Sequence, residues 1–180
     1  MYLRDKEQRL TKSNNTQIGQ DAGKALTTGT KNVALGATAA NALTTGVNNV
    51  AIGLLAMGVS TTGCQNVAIG DTAMGGADTT GIDNIAIGTA SADALTSGIC
   101  NIAIGKNALG AATTGCLNVA IGKQALGAAT LTGTDNVALG TNTLDAATAA
   151  SFNFAALDGA LGSTTAVSYT HLTLPPILLV

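Results

Sequence analysis

A five-residue string, Asn-aliphatic-Ala-aliphatic-Gly, returns along this chain at a nearly fixed interval. The clean copies run from Asn32 to Gly36, Asn49 to Gly53, Asn66 to Gly70, Asn84 to Gly88, Asn101 to Gly105, Asn118 to Gly122 and Asn136 to Gly140. A looser first copy is Asn15-Thr16-Gln17-Ile18-Gly19, and the Asn-to-Asn steps are 17, 17, 17, 18, 17, 17 and 18 residues. A constant period of this length, with one short strand-like run per unit, is the signature of a solenoid, in which each unit buries its apolar face only against its neighbours.

One unit, Asn101 to Leu117, shows how a coil is built. By the two-residue alternation of strands, Ile102 and Ile104 point one way, and Asn101, Ala103 and Gly105 point the other. The motif Gly sits where the chain must turn sharply, a place that favours φ > 0. A second apolar patch follows (Ala73-Met74, Ala108-Leu109, Ala125-Leu126), then a Thr-Thr-Gly corner at 27–29, 44–46, 61–63, 79–81 and 113–115. Two strands and two corners per unit predict an all-β parallel β-roll. At ~3.3 Å per residue, 17 residues trace a flat loop of about 56 Å, and coils about 4.8 Å apart stack to a body of roughly 40 Å. The extra residue of the units starting at Asn66 and Asn118 falls before the second corner, and a ninth coil begins at Asn153. The stacked Asn side chains are expected to form a hydrogen-bonded ladder. Because the strand is apolar on both faces, one face needs a partner beyond its own roll, which points to self-association.

Composition agrees with a thin, small-residue core. Aromatics are 2% of the 180 residues, Trp is absent, and the hydrophobic fraction is 46%. The net charge is −2, and four of the eight basic residues (Arg4, Lys6, Arg9, Lys12) lie in the first dozen positions. The absence of a basic stripe and the scarcity of aromatics argue against a nucleic-acid partner. No run of 18 apolar residues predicts a membrane span. The N-terminus lacks the apolar segment of a signal peptide; for a surface-exposed protein, either the export signal lies outside this stretch or export is by virion assembly or cell lysis.

Residues 1–14 read as a charged cap or linker and 15–166 as the roll. From Val167 the repeat grammar stops. Val167-Ser168-Tyr169-Thr170-His171-Leu172-Thr173-Leu174-Pro175 resembles one reading frame of a sequencing-library transposon end. Residues 167–180 are therefore read as adapter read-through rather than native chain. His171, Pro175 and Pro176 are the only His and Pro residues, so the roll itself offers no imidazole for general base chemistry.

The N-[VI]-A-[IL]-G strings with x-x-A and a Gly corner resemble the YadA-like head repeat of trimeric autotransporter adhesins, over residues 15–166. The 17-residue period with Ala-Leu and Thr-Thr-Gly looks more like the variant found in phage and environmental fibre proteins. The resemblance implies a left-handed β-solenoid of about 8–9 coils packed as a homotrimer. It also implies a non-enzymatic structural and adhesive role in a cell-surface adhesin head, or alternatively in a phage or virus tail fibre. The expected partners are the chain itself and a host-surface protein or glycan, without a cofactor. The Thr16-Gln17 departure in the first copy suggests a terminal cap.

Since the repeated positions are committed to packing, contacts are expected at the varied positions Asp71, Lys106, Asn107, Lys123 and Gln124. Leu54-Leu55 occupy the same slot and are expected to face solvent. Cys64, Cys100 and Cys116 read as small buried hydrophobes, with an axial Cys cluster as the sharper alternative. The calcium nonapeptide G-G-x-G-x-D is absent, Gly75-Gly76-Ala77-Asp78 being its nearest echo. The single acids do not line up as the neighbouring pair a glycosidase or lyase needs. The Thr-Thr-Gly rows are not read as an ice-binding face, because adjacent Thr residues at a corner point to opposite sides.

Overall fold

The structure, a computed structural model, describes residues 14–127 and 130–163. Residues 1–13 of the expected cap, the last stretch of the roll at 164–166 and the tail 167–180 lie outside the described residues. Nine three-residue strands stack in chain order into one parallel sheet. They are β1 (Thr16–Ile18), β2 (Val33–Leu35), β3 (Val50–Ile52), β4 (Val67–Ile69), β5 (Ile85–Ile87), β6 (Ile102–Ile104), β7 (Val119–Ile121), β8 (Val137–Leu139) and β9 (Phe154–Ala156). Register follows the motif, with Ala51 paired to Ala68 and Ala103 to Ala120. β9 is the ninth coil expected at Asn153.

The strands settle which face is inside. Asn101 and Ala103 are fully buried, while Ile102 and Ile104 on the alternate positions are only partly covered. The interior therefore holds Asn and Ala, and the larger Val and Ile side chains point away from the coil's own core.

The second expected strand does not form. Each coil has a single strand, and the stretch after the motif Gly runs as turns. The sequence explains this: Ala56 and Met57 are consecutive and both buried, and a strand cannot send adjacent side chains to one side. The backbone instead enters the left-handed region at Leu55 (φ 56°) and Met57 (φ 50°), as it does at Asn107 and Leu109. Their N–H groups point alternately along the axis. Leu55 N donates back to Ala37 O at 3.1 Å, and Met57 N donates forward to Ala73 O at 2.9 Å. A third left-handed residue precedes each motif Asn, for example Cys100 (φ 57°), and makes the corner back into the strand.

Two glycine positions have different causes. The seven clean motif Gly residues hold φ between 128° and 139°, which L side chains rarely adopt. The Gly of Thr-Thr-Gly has no positive φ; at Gly46 an added Cβ would strike the Gly63 carbonyl and Leu43. That glycine is inward-facing filler space, while the bend lies on the two Thr residues before it.

The core contains one main large side chain per ordinary coil, supplied from one of two positions. Coils pair Ala40 with Leu43, Met57 with Ser60, Ala92 with Leu95, Leu109 with Ala112 and Leu144 with Ala147, all buried. Where one position is large the other is small, which keeps the cross-section filled without overpacking. The 18-residue coils carry Met74 with Thr79 and Leu126 with Leu131. Their extra residue lies before the second corner, as expected. Asn66 Nδ2 reaches Gly81 O fifteen residues on, whereas Asn49 Nδ2 reaches Gly63 O at fourteen.

Candidate functional surfaces

The Asn positions form a continuous ladder. Asn101 donates from its backbone N and its Nδ2 to Asn84 Oδ1, each at 3.0 Å, and from Nδ2 to Gly115 O at 2.7 Å. Its own Oδ1 accepts from Asn118 N and Nδ2, both at 3.1 Å. The ladder starts at Asn15, whose Oδ1 takes Asn32 N at 2.7 Å. Gln17 stands where later coils have Ala, and it donates Nε2 to Gly23 O at 3.3 Å. These Asn and Gly residues are structural: they leave no polar group free for a ligand.

The outward side of the sheet is apolar from β2 to β8. Two files run along it, Val33, Val50, Val67, Ile85, Ile102, Val119 and Val137 beside Leu35, Ile52, Ile69, Ile87, Ile104, Ile121 and Leu139. All are half-buried or exposed, Ile121 reaching 40%. The files carry no charged residue, and the strand register repeats them at the coil spacing of about 4.8 Å.

The predicted contact positions flank the turn after the motif Gly. Asp71, Lys106 and Lys123 are exposed, and Asn107 and Gln124, in the left-handed region, are half-buried. Leu54 and Leu55 share this edge, 49% and 38% exposed, as expected of a solvent-facing slot. The coil stacking places Lys106 and Lys123 on adjacent coils. Asp71 lies two coils before Lys106, so these five residues form a strip rather than one pocket.

The cysteines differ from expectation. Cys64 and Cys116 are half-buried and Cys100 is exposed; all are free thiols. Cys64 and Cys116 lie on the extended run after Thr-Thr-Gly, where the intervening Gly takes the inward position and the cysteine turns outward. Cys100 occupies the left-handed corner, so its side chain leaves the core as well.

One cluster was missed from the sequence. Between Asn32 and Asn136 the coil lengths run 17, 17, 18 twice, giving a 52-residue super-repeat. The residue five after the motif Gly is Asn41, Asp93 or Asp145 in the first coil of each super-repeat, and Gly58, Gly75, Gly110 or Gly127 in the others. Oδ1 of Asn41, of Asp93 and of Asp145 is buried without a hydrogen-bond donor. Burial pushes the Asp93 carboxyl up from its ordinary value, and the backbone N–H groups of Gly76 and Gly75 partly offset this. A shallow cavity of about 260 Å³ opens beside it, lined by Ala90, Asp93, Asn107, Gly110, Ala111 and Gly127. The polar exception in every third coil was the readable signal.

Among the described residues no three His, Cys, Asp or Glu side chains lie close enough to hold a metal ion, and no helix is long and apolar enough to cross a membrane. No family model, curated protein or solved structure matches the chain significantly.

Proposed function

We propose that this chain is a non-enzymatic structural and adhesive segment of a surface fibre, assembled as a homotrimer through the outward Val/Ile face and read as the head of a trimeric cell-surface adhesin. The observation that carries the reading is that face: a long, uncharged, apolar strip on a rod whose interior is already filled by Asn, Ala and one main large side chain per ordinary coil. Burying apolar area contributes about 25 cal/mol per Å². A second copy is the occupant with the matching pitch, because its own files repeat at the same coil spacing.

The resemblance to YadA-like head repeats supplies the threefold number and the adhesive role. A phage or virus tail fibre is the second reading, supported by the Thr-Thr-Gly form of the repeat; either way the segment is displayed on a cell surface or a virion. Within the trimer the exposed strip of Asp71, Lys106, Asn107, Lys123 and Gln124 is presented three times, so weak single contacts with a host protein or glycan gain avidity. The test is binding of the purified assembly to host cells, matrix proteins and a glycan array. Saturable binding lost on combined replacement of Lys106 and Lys123 supports adhesion; no binding to any of these leaves a spacer and removes the adhesive role.

A further inference from the structure

Three equivalent sequence positions, Asn41, Asp93 and Asp145, each bury Oδ1 without a hydrogen-bond donor. At Asn41 the group is a neutral amide. A protonated carboxyl is the closest chemical match to that amide. We propose that Asp93 is an acid-tightened joint, in which uptake of a proton by its carboxylate stabilises the junction between its coil and the Gly75–Gly76 segment of the preceding coil.

The preceding coil presents the backbone N–H groups of Gly75 and Gly76, and a Cβ on Gly76 would sit 2.5 Å from Asp93 Oδ2. Asp78, in that coil, is occupied by Thr61, accepting from its N at 2.7 Å and its Oγ1 at 2.9 Å. The following coils present Asn107, Gly110, Ala111 and Gly127, and the coil of Asp93 itself presents Ala90. Among the described residues no charged side chain other than Asp93 lines this cavity, so none of them compensates the charge of its carboxylate. Two backbone N–H groups favour the carboxylate, but burial outweighs them.

The sign follows directly. A carboxyl whose pKa is higher folded than unfolded destabilises the fold above the folded value, and this penalty fades as pH falls through it. Below the unfolded value, about 3.9, both states are protonated and the term vanishes.

The experiment uses the full chain. The carboxyl carbon of Asp93, assigned by comparison with Asp93→Asn, should titrate at a higher pH than the same residue in denatured chain. Asp93→Asn should raise the unfolding midpoint at neutral pH, with the gap closing in acid; each pKa unit of elevation corresponds to a tenfold change in the folding constant. An Asp93 titration at or below the denatured value, or a gap between Asp93→Asn and the parent that does not change with pH, overturns the proposal. The titration alone decides if a variant does not fold.

Discussion

Asn101 makes five hydrogen bonds through one side chain and one amide, and it does so inside a column where water does not reach. The amide suits the task because it carries acceptor and donors on one planar group, so each rung can bond the rungs on both sides. Asn101→Ala would orphan Gly115 O and the donors of Asn118, at about 1–3 kcal/mol for each buried group. Chemical denaturation should show that loss in full at Asn101 and a smaller one for Asn15→Ala, at the half-buried end of the ladder. This much was legible, since a polar residue at every strand start has few other uses. The left-handed residues were not: Leu, Met and Ala carry no signal for φ > 0, which disfavours them all. They adopt it because adjacent buried side chains leave no extended alternative.

At the scale of the coil, the alternation of large and small interior residues makes a sharp prediction. Leu95→Ala should cost about 2–5 kcal/mol, as for other buried Leu truncations, and Ala92→Leu alone should overpack the same coil by about 1–3 kcal/mol. Together they recreate the arrangement of Leu109 and Ala112 one coil later. The double variant should therefore regain most of the loss, a coupling that a thermodynamic cycle measures directly. Strictly additive losses would show that the two positions do not share one space. The motif strand and its Gly corner could be read from periodicity, whereas the second side could not be read as drawn. The consecutive apolar pair Ala-Leu or Ala-Met in most coils is what breaks the two-residue alternation of a strand there. The 52-residue super-repeat was similarly masked, because the eye follows the 17-residue motif and passes over the polar exception at Asn41, Asp93 and Asp145.

For the whole molecule, the sequence identified a parallel stack of coils, and the structure has one; which face of the strand is left over needed coordinates. Both faces read as apolar in Asn-Val-Ala-Ile-Gly, and only the fit of small residues in a narrow interior assigns Ala inward and Val/Ile outward. Candidate contact positions were legible as one slot that varies, and the 17-residue step already puts Lys106 and Lys123 on adjacent coils. The central claim is that the outward Val/Ile face is covered by other copies of this chain, and sedimentation equilibrium at micromolar concentration measures this most directly. The account predicts three times the chain mass for the parent protein, and dissociation for the paired replacement Ile102→Lys and Ile104→Lys at the middle of that face. A well-folded, soluble monomer of the parent chain under the same conditions would contradict it.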